Sequence, residues 1–486
     1  MHRTLAFITL IAMLCWPGWA VNCIAQPAIP NAHPFDPAPW QQDFTQLLSA
    51  MSVHYANLEW AIHGRHMDLA KLRKQTQAKL SHAHSDAEAR AIFESFLAAF
   101  GDGHLGIEWP HTAGANPPQL IEHQDLCQRL GYNSRDNHAG LDFSGLPQFS
   151  PLPGEEAAYF PGGLLAISKS RKIGVIRIGL FAESGYPQAC EQVIHTLNLG
   201  NSTLCNADCR NRIQQQVADL LTIALGRRAA ALRKAGATRL LVDITDNGGG
   251  DNWVEATSRE LSAVPLRQDR YAFVKSQHWT RDLEERLEDV NTDLAQHRNP
   301  HQVLMTARAH LMQAIAESQH PCDLDSVWTT GKQNCSQLVK NLLYTDALIP
   351  YARPGSFTGL ASREDLFDPL RYPYTESRDR LPLYVVVDGN TWSAAEDFAA
   401  TLQDNHAAVI IGLPTGGAGC GYTNGGIPTI LKNSMASVEM PDCVRIRADG
   451  TNAVAGVTPD VLVPWARSNS PYQRVDTLFI TLKSVH

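Results

Sequence analysis

The feature that most constrains the fold of this 486-residue chain is a strand–turn–helix pattern that occurs twice. In one copy Leu383 to Val387 is a short apolar, β-branched run, and Asp388-Gly-Asn-Thr-Trp392 is turn chemistry. Ser393 to Gln403 then has helical apolar spacing, and Ala407 to Gly412 reads as a further strand. The other copy begins at the strand Ile173 to Phe181 and continues through a long helix from about Asn211 to Lys234 that stops at Gly236. A buried-type strand from Arg239 to Thr245 follows, and then Asp246-Asn-Gly-Gly-Gly250. Strand, helix and strand in repeated order imply right-handed crossovers and a mixed α/β core.

The flanking sequence predicts the remaining organisation. His2 and Arg3 precede an apolar run from Leu5 to Cys15 and a small-residue site at Gly18-Trp19-Ala20, the layout of a secretory signal cleaved near Ala20 or Ala25. That run is shorter than the roughly 20 residues a bilayer needs, so stable membrane insertion is not expected. Residues 1–25 are therefore read as a signal peptide, 26–110 as a helical region, 111–165 as a loop-rich connector, and 166–486 as the core. Within the helical region, Ser85 and Glu88 make a capping box before an apolar stripe ending at Phe100-Gly101, and Asp102-Gly-His104 opens a strand predicted to reach Trp109. An insertion at about 265–380 carries two amphipathic helices broken at Asn299-Pro300 and reads as a helical hairpin.

Composition removes some functions. A formal charge of -8 with Lys and Arg scattered gives no basic stripe for nucleic-acid phosphates. Eight cysteines lie beyond Cys23, and in an exported chain they imply disulfides, with a zinc site as the alternative. Spacing suggests Cys205 with Cys209, Cys322 with Cys335 and Cys420 with Cys443, leaving Cys127 for Cys190. The groups His63, His66, Asp68 and His82, His84, Asp86 lack the paired spacing of a zinc helix, so no metal and no cofactor is expected.

Ser393 stands where a strand turns into a helix. A hydroxyl there faces the positive end of a helix and free backbone N–H groups, as an attacking oxygen and its oxyanion require. The competing reading is a helix cap completed by Glu396.

Ser393-Ala-Ala-Glu396 with Gln403-Asp404 and Gly412-Leu-Pro-Thr-Gly-Gly417, the segment Leu240 to Asn252, and Gly456-Val-Thr-Pro-Asp460 together resemble, in order, the motifs of the tail-specific (carboxyl-terminal processing) and tricorn-core protease family. The resemblance implies a crotonase-like (ClpP-like) ββα superhelix in the α/β class, with the N-terminal helical region and the helical insertion added and no PDZ module. It implies a serine peptidase acting on polypeptides through Ser393. One oxyanion N–H would come from Gly249 or Gly250 and the other from Ala394.

The lysine that one branch uses as base is absent, since Gly417-Ala418-Gly419 stands in its place, and Lys432 matches nothing in the family. Asp102-Gly-His104 resembles the histidine segment of the tricorn-like branch, so His104 is the expected base. That branch also places a glutamate where this chain has Ala453. Asn452, Asp449 or Asp102 could orient the imidazole instead. The sequence thus implies an exported serine peptidase, periplasmic or extracellular, with an oligomer compatible; the alternative is an impaired or inactive relative that binds peptides.

Overall fold

The five residues Leu383–Val387 are buried along their whole length, as an apolar run must be when both faces of its sheet are covered. In the computed structural model, which describes residues 35–110, 125–421, 428–466 and 468–485, this run lies at the heart of a seven-stranded sheet. The signal-like stretch lies outside the described residues, and so does the start of the connector.

The described strands are β1 (Gly106–Glu108), β2 (Phe149–Pro151), β3 (Gly162–Ala166), β4 (Lys172–Arg177), β5 (Arg239–Asp243), β6 (Arg270–Val274) and β7 (Leu338–Tyr344). They continue with β8 (Leu383–Val387), β9 (Ala408–Gly412), β10 (Thr429–Ile430), β11 (Ser437–Glu439), β12 (Cys443–Ile446) and β13 (Val461–Leu462). The main sheet has the order β13-β9-β8-β5-β4-β3-β2. From β13 to β4 the pairs are parallel, and β3 and β2 add antiparallel.

Period-two alternation divides the residues of these strands between two cores. Val242, Val385 and Val387 pack with Leu221, Leu225, Trp253 and Phe398 of the crossover helices. Leu241, Tyr384 and Val386 face the other way, against Trp465, Leu478 and Phe479 near the C-terminus. The helices Ala207–Lys234, Trp253–Leu261 and Ala394–Asp404 lie in the connections between parallel strands, and the turns that carry Gly248–Gly250 and Ser393 stand at the carboxyl ends of β5 and β8.

Three segments differ from expectation. The connector supplies β2 and β3 of the main sheet, hidden in sequence because Pro151 and Gly162-Gly163 are poor strand residues. The insertion is more than a hairpin: helices Gln277–Ala295 and His301–Ser318 pack Leu283, Val290, Leu304 and Leu311 against β6 and β7. A small sheet of order β12-β6-β7 joins the insertion to the C-terminal part of the chain. The strand expected from His104 to Trp109 is only β1, so His104 precedes it in a turn. Lys432 lies in the turn between β10 and β11, where its N–H meets Gln46.

The N-terminal helices are held by an aromatic cluster in which Phe44 meets Phe96 edge-on at 4.9 Å. The helix Asp86–Ala98 starts at Ser85, whose hydroxyl accepts the Glu88 N–H, and its end delivers Asp102 and His104 to the main body. Four disulfides close Cys127–Cys190, Cys205–Cys209, Cys322–Cys335 and Cys420–Cys443. Among the described residues, no helix is long and apolar enough to cross a membrane.

Candidate active site

Ser393 follows β8 and precedes the helix Ala394–Asp404 with φ +53° and ψ -120°. An ordinary capping serine sits in the β region, whereas this conformation is strained for any residue with a Cβ. Capping alone gives no reason for the strain. A sharp turn that lifts a hydroxyl out of the sheet end does.

Glu396 fixes that turn. Its carboxylate accepts the N–H of Ser393 at 3.1 Å, the Thr415 hydroxyl at 2.5 Å, and the N–H groups of Gly417 and Ala418 at 2.8 and 2.6 Å. Burial pushes its pKa up, and the four donors oppose the shift. The sequence offered Glu396 only as a capping partner. Its larger role is to join the Ser393 turn to the loop that begins at Gly416.

That loop carries the His104 segment beside the serine. Gly103 N–H donates to the Gly417 carbonyl at 3.0 Å. A Cβ on Gly103 would come within 2.2 Å of the Trp392 ring and 2.9 Å of Ala418 Cβ, so no other residue fits there without rearrangement. The position where the lysine branch has its base is thus packed under the histidine segment.

Asn247 to Gly250 follow β5, the neighbour of β8. Gly249 has φ +112°, and a Cβ on it would lie 2.7 Å from Ser393 Cβ, so glycine is what lets this loop touch the serine turn. The Gly249 N–H is already donated to Asn247 Oδ1 at 2.9 Å. Gly250 and Ala394, by contrast, line the cleft with Ser393 and His104. The cleft holds about 660 Å³.

The imidazole of His104 is largely buried. Its pKa is lowered to about 4, first by desolvation and then by the Arg445 guanidinium, while a hydrogen bond to the Cys420 backbone opposes the shift. Among the described residues, Nδ1 is buried without a hydrogen-bond partner. Gly421 lies along the ring, its missing Cβ 3.5 Å from Nε2. Among the described residues, no hydrogen bond joins this ring to the Ser393 hydroxyl.

The three candidate orienting residues have different surroundings. Asp102 is buried and accepts His104's own backbone N–H at 3.0 Å, the Tyr55 hydroxyl at 3.0 Å and Asn57 Nδ2 at 2.8 Å. It shapes the turn that carries the ring, and burial raises its pKa. Asn452 donates to Asn57 Oδ1 at 2.7 Å and so reaches Asp102 at one remove. Asp449 stands in an exposed turn bonded to Thr451, away from the cleft. Tyr55, Asn57 and Arg445 were not singled out in sequence, because each arrives from a distant segment with no motif of its own.

The two histidine groups are also accounted for separately. His63 Nε2 meets Gln333 at 2.7 Å, and Asp68 caps the helix Leu69–Ser81. His82 bonds back to Ala78, and the His84 N–H goes to Glu88.

The strained serine and the adjoining glycine loop lie within residues 222–463, which match the sequence model of peptidase family S41. The chain belongs to peptidase family S41. This S41 chain is therefore a serine peptidase, a hydrolase whose substrates are polypeptides. Its fold is similar to that of mature CPAF complexed with lactacystin, at 15% identity and TM-score 0.57, covering 92% of this chain and 98% of the other. A second structure of mature CPAF gives 14% identity and TM-score 0.57, with coverage of 92% and 96%. A putative peptidase from Parabacteroides merdae ATCC 43184 matches at 14% identity and TM-score 0.45, with coverage of 92% and 97%.

Proposed function

We propose that this S41 peptidase is exported and cleaves peptide bonds through an acyl-enzyme on Ser393, with His104 as general base. Ser393 Oγ bonds to the scissile carbonyl carbon while its proton passes to His104. The carbonyl oxygen, now negative, takes the N–H groups of Gly250 and Ala394. The C–N bond breaks as His104 returns the proton to the leaving amine, and water repeats the sequence to release the acid. The commitment of the Gly249 N–H to Asn247 favours Gly250 over Gly249 as donor. An apolar N-terminal run and four disulfides support export.

The observation that carries this reading is the positive φ of Ser393 at the end of β8, in a cleft shared with His104. It is tested by incubating an unfolded protein substrate with wild type and Ser393→Ala. Turnover should fall by roughly 10⁴-fold or more in the variant. Equal cleavage by both proteins would refute it.

A second reading, an impaired relative that holds peptides, draws on a different observation. His104 has a guanidinium nearby where a triad histidine has a carboxylate, and among the described residues its Nδ1 has no partner. This reading predicts peptide binding with no difference in turnover between wild type and His104→Ala.

A further inference from the structure

Beyond Ser393 and His104, the cleft is walled by charge. Asp251, Asp282, Asp346 and Asp397 line it against two guanidiniums, Arg286 and Arg445. Four carboxyls facing two cations make the balance acidic, but most of these groups are already occupied. Arg445 pairs with Asp397 at 2.8 Å and donates to the Gly419 carbonyl at 2.9 Å. Arg286 pairs with Asp282 at 2.9 Å and reaches Asp365 at 4.0 Å. Asp251 shares a hydrogen bond with Glu183, whose carboxyl is pushed up to about 8 by burial and by Asp251.

Asp346 is different. Among the described residues, no hydrogen bond or ion pair reaches its carboxylate, although its backbone carbonyl accepts the Asp368 N–H at 3.3 Å. It stands in the turn after β7, with φ +47° and the Ala347 N–H closing onto the Tyr344 carbonyl at 3.1 Å. Asparagine or glycine would satisfy such a turn without bringing a charge into a cavity. The turn therefore does not account for the acid. Each arginine already touches another carboxylate, so Asp346 interacts with both through space without pairing with either.

The position relative to the serine follows from the helix that Ser393 begins. Asp397 lies one turn along it, about 6 Å by helical rise, and Arg445 is bonded to Asp397. Burial pushes the Asp346 carboxyl up and Asp397 adds to that shift, while the guanidiniums of Arg286 and then Arg445 oppose it. Tyr271 and Trp279 line the same cavity and offer flat apolar walls to a long aliphatic stem.

We propose that Asp346 receives a lysine or arginine side chain of the substrate, so that this cleft selects polypeptides with a basic residue near the scissile bond. The proposal rests on the reading of this cleft as the substrate site. It deepens that reading by naming the substrate's charge.

The test separates selection from turnover by measuring binding to Ser393→Ala, which keeps the cleft. Three peptides that differ at one position, lysine, norleucine or glutamate, are titrated by fluorescence anisotropy against Ser393→Ala and against the same protein carrying Asp346→Asn or Asp346→Gly. Asparagine and glycine both suit the positive φ, so either variant retains the turn. The lysine peptide should bind about tenfold or more tighter than the norleucine peptide, and that ratio should collapse to about one in both Asp346 variants. A ratio near one in Ser393→Ala itself, or a lysine preference that survives both substitutions, overturns the proposal. Failure of a phosphonate to label Ser393 in the wild type would count against the acyl-enzyme reading instead, and the peptide ratio would still judge Asp346.

Discussion

The two halves of the cleft that holds Ser393 and His104 are built to different standards. On the serine side, one buried carboxylate gathers four donors and fixes the turn at the end of β8, and the glycine loop after β5 fits against it with no room for a side chain. On the histidine side, hydrogen bonds shape the backbone and leave the ring lightly held. Asp102 takes the His104 N–H, while among the described residues the imidazole bonds to the Cys420 backbone and Nδ1 has no partner. The contrast teaches that the geometry of the proposed nucleophile and oxyanion donors is preorganised here, whereas the basicity of the histidine is left low.

Each prediction presses on one side of that contrast. On the histidine side, His104→Ala should slow peptide turnover by about 10²–10⁴-fold in a steady-state assay while leaving the thermal midpoint nearly unchanged. On the serine side, Glu396→Gln keeps the shape and removes the charge that four donors share. It should lower stability by about 2 kcal/mol in denaturant unfolding and reduce turnover with it. Asp102→Asn should weaken the turn beneath the imidazole and lower kcat by about tenfold with KM little altered, which a kinetic comparison reads directly. Supplying the missing acid should act in the opposite sense. Ala453→Glu is expected to raise kcat several-fold and to move the acid limb of the pH profile upward, because a carboxylate near an imidazole favours its protonated form.

How much of this could be read beforehand depended on distance along the chain. The Ser393 turn, the Gly248–Gly250 loop and the pattern of β5 and β8 are local, and short-range apolar periodicity marks them. The serine's strained backbone could be guessed only through resemblance, since Ser393 and Glu396 also spell an ordinary capping box. The histidine side depends on long-range assembly. Tyr55 and Asn57 meet Asp102 from 47 and 45 residues away, and Arg445 reaches the cleft because β12 pairs with β6. Asp346 gave no sequence signal at all. Its meaning comes from the carboxylates around it having partners already.

The central claim is that Ser393 is activated by a neutral His104, and the most direct measurement is the pH dependence of its reaction with a serine-reactive phosphonate, followed by intact mass. A histidine whose pKa lies at about 4 is already in its base form well below neutrality. The second-order labelling rate should therefore be flat from about pH 5.5 to 8 and fall only as the pH drops toward about 4. It should be absent in Ser393→Ala and strongly reduced in His104→Ala. Labelling of His104→Ala at the wild-type rate, or an adduct that persists in Ser393→Ala, would contradict the account.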